Sequence, residues 1–319
     1  MGKESYVEIK DNYFDANAKP TVSVCIIAYN VEKFLPQAIE SVLMQKTNFK
    51  VEMVIGEDCS LDNTRKIALE YRDKYPKYIN VLLPEKNQGL TPNSVATQNA
   101  CTGKYIALLD GDDYWTNYDK LQIQVDFLER HPEYSACAHQ SMKIYEDGSS
   151  SLKLFGEDVD RDYQLQDTIT HRKFHTSSLV YRKKIWDEVG GIPKDISSNE
   201  RAIYPMLAIF GEIKYFKEPM CVYRLTEFGL SSRVDYKELE TDLKMIPWLK
   251  KITPKFPAKK FKSFLHLCIY TYGGRKIPFI PLLNHYLLFC ILSFSYFPKN
   301  LGDIKWGTIF FLKKVLFIN

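Results

Sequence analysis

Cysteine is thinly spread: Cys25, Cys59, Cys101, Cys137, Cys221, Cys268 and Cys290 form no Cys-x-x-Cys pair. That spacing excludes a zinc knuckle and a disulfide framework, and predicts a reducing cytoplasm as the setting. Glycine-rich phosphate loops are missing too. Neither the Walker pattern nor Gly-x-Gly-x-x-Gly occurs, which removes the markers of kinase-like and dinucleotide-binding chains. Met1 to Val7 contains no apolar run of the kind a secretory signal needs, and Tyr6 stands where myristoylation of Gly2 would need Ser or Thr. Neither device is expected. A net charge of +4 is too small to point to nucleic acid. No internal repeat or low-complexity segment is found. The least interrupted apolar stretch, Tyr286 to Phe297, is shorter than the roughly 20 residues of a spanning helix.

What is present can bury a real core. The chain has 319 residues, 45% of them hydrophobic, which suits one large domain or two unequal ones. Apolar runs predict strands over 21–29, 51–56, 79–83 and 104–109, alternating with helices over 34–46, 64–75, 92–101 and 119–130. Phe34, Leu35, Ile39, Val42 and Leu43 give the first helix one apolar face, and Asp62 is placed to cap the second. This order predicts a parallel sheet with helices on both faces. The middle third reads as strands over 134–147 and 174–182 and two short strands within 213–224 parted by Pro219. Helices are predicted over 183–189, stopped by Gly190-Gly191, and over 200–210. Past about residue 236, Lys-rich helices alternate with Pro and apolar runs. A boundary near 235 follows, with a first domain at 1–235 and a helical region at 236–319.

The acids concentrate in one place. Asp110-Gly111-Asp112-Asp113 follows the apolar run Tyr105 to Leu109 and precedes Tyr114-Trp115. Such a run reads as a buried parallel strand, so three carboxylates fall at its carboxyl end. Open α/β sheets bind ligands just outside those ends. Crowded like charges repel unless a cation sits among them, and hard oxygen ligands favour Mg²⁺ or Mn²⁺ bridged to substrate phosphates. An isolated Asp-x-Asp is more often a solvated turn; the strand in front and the aromatic wall behind favour the metal site. Two other loops join it. Asp58, ending the second strand, can accept from a nucleobase N–H and equally can cap the next helix. Tyr29 closes the first strand with an aromatic face, and Lys86-Asn87-Gln88-Gly89 offers a cation near the third; either loop could equally be a plain turn.

Taken together, these stretches resemble family 2 glycosyltransferases. Val22 to Asn30, Glu57 to Thr64, Asn87-Gln88-Gly89 and Leu109 to Asp113 occur in that family's order and spacing. The resemblance continues through Lys120-Leu121-Gln122, His175 to Ser178 and Tyr223-Arg224, over roughly residues 20–235. It implies a GT-A fold, an α/β architecture with a Rossmann-like, mostly parallel sheet flanked by helices. It also implies metal-dependent, inverting transfer of a sugar from a nucleotide-diphosphate sugar, a UDP-sugar by preference, to a hydroxyl of a glycan or lipid-linked acceptor. Carried over by position, Ala28, Tyr29, Glu32, Asp58, Lys86, Asp110 and Gly111 would contact the nucleotide-sugar. Asp110 and Asp112 would hold Mn²⁺ or Mg²⁺, Asp112 more directly. The base that deprotonates the acceptor falls within Ser198 to Ala202 and is assigned to Glu200, with Asp195 as runner-up; a plain helix start would also explain Glu200. His175 to Ser178 borders the sugar or acceptor pocket, or His175 is a core residue.

Three positions depart from the family pattern: Gln98 replaces a common Arg, Thr226 replaces a histidine that often serves the metal or diphosphate, and Asn199-Glu200 replaces an acid pair. A sugar nucleotidylyltransferase would open with a Gly- and Arg-containing loop, absent from 24–34; a non-catalytic nucleotide-sugar-binding module would have lost the acids. The tail from 255 to 319 pairs apolar runs with Arg275, Lys276, Lys299, Lys313 and Lys314. That pairing suits peripheral contact with the inner face of a membrane, and it suits packing on the first domain equally well.

Overall fold

The computed structural model describes residues 19–146, 153–226, 235–273, 277–296 and 300–316. They fall into two compact units. The first takes the described part of Met1–Gln164 with Arg172–Gly191 and Phe210–Thr226; the second takes Leu165–His171, Ile192–Ile209 and the described part of Glu227–Asn319. Residues 192–209 therefore group with the C-terminal helices.

The first unit is built on one sheet of ten strands: β1 Val22–Ala28, β2 Val51–Glu57, β3 Ile79–Leu82, β4 Tyr105–Asp110, β5 Tyr114–Trp115, β6 Tyr134–Tyr145, β7 Lys153–Phe155, β8 Arg161–Tyr163, β9 Val180–Arg182 and β10 Glu212–Leu225. The order is β3-β2-β1-β4-β9-β6-β10-β5, with β7 on β6 and β8 on β10. β3, β2, β1 and β4 run parallel, as do β6 and β10, while β9 runs antiparallel between β4 and β6. The sheet is thus mostly parallel in its first half and mixed beyond. Val22, Val24, Ile26 and Ala28 are buried, and so are Ser23 and Cys25 on the opposite face, as a central parallel strand requires. Helices α1 Leu35–Leu43, α2 Thr64–Lys74, α3 Leu90–Ala100 and α4 Lys120–Arg130 complete the alternation. α1 buries Leu35, Ala38, Ile39 and Val42, one stripe at helical spacing. Asn63, not Asp62, occupies the cap position of α2, while Asp62 accepts the Thr64 N–H at 2.9 Å from one residue further out.

Two expectations change. The strand expected over 174–182 is shorter: Thr176–Ser178 coils into a 3-10 turn before β9. The Ser177 N–H donates to His175 Nδ1 (3.2 Å) and Ser178 Oγ to the His175 carbonyl (2.6 Å), local bonds that compete with a ladder. The two short strands expected around Pro219 are one, β10, whose register on β6 shifts between Phe216 and Cys221; the proline sits in that irregularity.

In the second unit, the helix Ala258–Tyr272 is buried along most of its length and packs with Phe279–Ser293 and Leu301–Leu316 around Phe264, Leu267, Tyr270, Leu282 and Phe289. Pro281 does not break Phe279–Ser293 because it lies in the first turn, where its missing N–H has no partner to lose. His285 is buried, bonded to His266 (2.8 Å) and Glu240 (2.9 Å). The helical stretch Phe279–Tyr296 is long and apolar enough to cross a membrane by length and composition, longer than the expected 286–297. Arg275, Lys276 and Lys299, expected to flank it, lie outside the described residues, as do Met1 to Val7 and Phe297.

Candidate active site

The carboxyl ends of β1, β2, β3 and β4 lie along one edge of the first unit, and their loops tie to one another. After β1, Asn30 takes a left-handed φ of 53°; after β2, Cys59 does so at 59°. The two turns are cross-linked: the Asn30 N–H donates to Ser60 Oγ (3.0 Å) and the Leu61 N–H to Asn30 Oδ1 (2.8 Å). The Asp58 N–H reaches the carbonyl of buried Ala28 (3.0 Å). Glu32 accepts from the backbone and side-chain nitrogens of Asn63 (2.9 and 2.7 Å), leaving Tyr29 exposed between the turns. Asp58 is buried, and its two oxygens accept the Gln88 (2.7 Å) and Gly89 (2.9 Å) N–H groups. Burial raises its pKa; those two N–H groups pull the other way. Asp58 thus shapes the loop that carries exposed Lys86, and each oxygen retains a second lone pair for a ligand.

Sequence reasoning passed over Glu57. It is fully buried and accepts from Ser60 N–H (2.6 Å), Cys59 N–H (3.3 Å) and Arg65 Nε (2.5 Å), so it holds the β2 turn from inside. An acid at a strand end with an Arg eight residues on, in the first turn of the next helix, was the available signal. Gln98, at the family's Arg position, is buried in a neutral network, accepting from the Tyr181 hydroxyl (2.5 Å) and donating to Ser94 Oγ (2.9 Å). No charge is needed there.

The acidic turn follows β4. The Gly111 N–H donates to the Ile27 carbonyl at 2.9 Å, and a Cβ on Gly111 would lie 2.8 Å from that oxygen, so the turn rests directly on β1. Asp113 faces inward, accepting from Ser177 Oγ (2.6 Å) and the Arg224 N–H (2.9 Å), with His175 Nδ1 at 3.3 Å. Burial, then the Asp112 and Asp110 charges, push its pKa well up; burial also raises that of Asp112, while Arg224 opposes. His175 is buried, its pKa lowered by burial, and it stacks on Tyr223 with ring centroids 3.9 Å apart. It is a supporting residue of the acid cluster. Arg224 donates from Nε to the Asp112 carbonyl (2.8 Å) and from Nη2 to Gln37 (2.8 Å), its guanidinium over the Phe34 ring. Behind, Trp115 donates Nε1 to the Ser177 carbonyl (2.8 Å), and the buried Lys120 Nζ sits 4.0 Å from its ring centre.

Ligand atoms of Asp110, Asp113 and His175 lie within 4.8 Å of one another. Asp113 and His175 are already bonded within the protein, whereas Asp112 is only half-buried. The Asp112 and Asp110 charges raise the pKa of Asp113, and carboxylates crowded in this way fit a hard divalent cation.

Glu200 belongs to the second unit. It lies half-buried in the first turn of the helix Asn199–Phe210, between Ser197 and Ser198 before it and Arg201 after it, all of which donate to Asp242. Asp195 is 66% exposed and paired with Lys244 at 2.7 Å, which lowers its pKa.

The chain is similar to known proteins. Over 209 residues, 66% of this chain, it is 34% identical to an uncharacterized protein of Mycobacterium tuberculosis and spans 60% of that relative's length. A Bacillus subtilis protein, TuaG, provisionally named a teichuronic acid biosynthesis glycosyltransferase, is 35% identical over 48% of this chain and 60% of its own. Among solved structures, S. aureus TarS 1-349 with UDP-GlcNAc superposes with a TM-score of 0.68 at 16% identity, covering 92% of this chain and 89% of that one. The mannosyltransferase PcManGT of Pyrobaculum calidifontis, with GDP-Man and Mn²⁺, gives 0.56 at 16% identity over 96% and 89%. Both likenesses establish the GT-A fold. With the sequence pattern of Glycosyl transferase family 2 matched over residues 23–190, from β1 through the acidic turn to the end of the helix after β9, the chain belongs to that family.

Proposed function

We propose that this protein is an inverting glycosyltransferase that moves a sugar from a nucleotide-diphosphate sugar, a UDP-sugar by preference, to a hydroxyl of a glycan or lipid-linked acceptor in envelope polysaccharide synthesis. The observation that carries the reading is the acidic turn 110–113, braced by β1, Ser177 and Arg224 at the strand edge where the β1 and β2 loops meet. Tyr29 offers a face for the base, Asp58 and the loop of Lys86 border the nucleoside, and Asp110 and Gly111 approach the sugar diphosphate. A divalent ion, Mn²⁺ or Mg²⁺, held by Asp110 and Asp112 would act as a Lewis acid on the leaving diphosphate. Glu200 takes the proton from the acceptor hydroxyl; that oxygen bonds to the anomeric carbon as the bond from that carbon to the diphosphate oxygen breaks, and the nucleoside diphosphate leaves. TarS with UDP-GlcNAc and PcManGT with GDP-Man and Mn²⁺ support the donor class, and TuaG's name supports the polymer class.

The region 236–319 is proposed to bring the enzyme to the inner face of a membrane. On Phe279–Ser293 the buried stripe is Leu282, His285, Phe289 and Ser293, and the opposite side carries exposed Ile280, Leu287 and Ile291 where a water-facing helix would be polar.

The test is a panel of nucleotide-sugars, read as nucleoside diphosphate release with and without Mn²⁺. Turnover of one donor is expected, and Asp112→Asn, which keeps size and removes charge, should abolish it in a folded protein. Wild-type turnover by that variant refutes the metal site; no release from any donor favours a binding module.

A further inference from the structure

The turn that carries Glu200 is held from outside its own helix. Asp242, in the 3-10 turn Thr241–Lys244, has a side chain only 1% exposed and spends both oxygens on this turn. Oδ1 accepts the Ser197 N–H (2.9 Å) and the Ser198 N–H (3.0 Å); Oδ2 accepts Ser198 Oγ (2.7 Å) and Arg201 Nη1 (3.0 Å). Arg201 Nη1 also donates to Ser198 Oγ at 2.8 Å, which closes a ring of bonds around the two residues between them, Asn199 and Glu200. Within the turn, Asn199 Oδ1 is buried with no hydrogen-bond partner, so its own side chain does not fasten it. Asp242 is thus the common acceptor for the residues on either side of Glu200.

We propose that Asp242 is a positioning residue for glycosyl transfer: it fixes the Ser197–Arg201 turn and, through it, the Glu200 carboxylate. The inference rests on the reading of Glu200 as the base. Its burial keeps Asp242 from touching substrate, so it acts only through the turn. A base must keep its oxygen within hydrogen-bond reach of the acceptor hydroxyl, and a misplacement of about 1 Å can cost about 10²-fold in rate. A buried carboxylate with four donors holds such a position well, because every loosening leaves a donor unpaired.

A cycle of Glu200→Gln, Asp242→Asn and the double variant separates the possibilities, with kcat and KM read from nucleoside diphosphate release from UDP-GlcNAc or whichever nucleotide-sugar the panel selects. Glu200→Gln alone should slow kcat by about 10²–10⁴-fold; full turnover there refutes the base, before Asp242 is considered. Asp242→Asn should lower kcat by about 10–100-fold with donor KM within about twofold, and should add less than about threefold once Glu200 is Gln. An equal factor in both backgrounds, a loss confined to KM, or no loss would overturn the proposal. Thermal melting followed by circular dichroism shows whether each variant folds. If Asp242→Asn does not, Ser198→Ala removes the two bonds of the ring made by the Ser198 hydroxyl and takes its place in the cycle, with a loss of several-fold in kcat expected and wild-type kcat overturning the proposal.

Discussion

Replacing Lys120 by Met should remove a pH dependence of stability that the wild-type chain shows between pH 7 and 9. Lys120 is fully buried, its Nζ over Trp115 and bonded to Gln124 Oε1 at 2.7 Å, and burial lowers its pKa from 10.5 to about 7. Between those values the unfolded chain carries a proton that the folded chain has released. Stability therefore rises with pH through this window and is lost as pH falls toward 7. At about 1.4 kcal/mol per pKa unit, the whole gap corresponds to about 5 kcal/mol, and the step from pH 9 to pH 7 to about 2 kcal/mol. Other shifted groups, Lys314 among them, are common to both proteins and cancel in the difference between them. His139, His175 and His266 have pKa values lowered by burial and change stability below about pH 6.5. Cys137 and Cys221, pushed up to about 12 by burial, withdraw stability as pH rises toward and past 9, in both proteins alike. Met keeps the length of the side chain under Trp115 and loses the Gln124 bond, which changes stability equally at each pH. Urea midpoints at pH 7, 8 and 9 measure the effect as the slope of wild type minus the slope of Lys120→Met. Parallel lines for the two proteins would refute the reasoning.

The acidic turn and the tail yield two further outcomes. Gly111→Ala places a Cβ 2.8 Å from the Ile27 carbonyl, a backbone atom that cannot swing aside, and should cost about 1–3 kcal/mol of stability; an unchanged Tm would show that the turn does not rest on β1 as described. The full chain should bind vesicles of anionic lipid and lose that binding as salt rises, because part of the attraction is between charges. Binding to neutral vesicles alone, or to none, would leave the apolar face of Phe279–Ser293 to some other partner.

The sequence alone determined the order of β1 to β4 with α1 to α4, though not the short β5, and also the acids at the end of β4 and the family. The physical reason is local: a strand buried on both faces is an apolar run, a helix repeats its apolar residues every third or fourth position, and the acids follow a strand in the chain itself. His175 was open between pocket and core, and its side chain proved buried against Tyr223 and Asp113. What only the tertiary structure decided are the partnerships between residues far apart in sequence. Asp113 meets Ser177 and the Arg224 backbone, Gln98 meets Tyr181, and Asp242 meets Ser198, at separations from 44 to 111 residues. Nothing in the local pattern marks Gln98 as neutral core or Asp242 as the holder of the Glu200 turn, because a polar side chain reads the same in solvent as beside a buried donor. Burial alone distinguishes them, and burial depends on where the rest of the chain runs. The turn at Thr176–Ser178 was missed although its bonds to His175 are local, and the interruption expected at Pro219 proved to be a register shift within one strand. Their residues suit strands, and it is hydrogen bonding to side chains and to β6 that bends them.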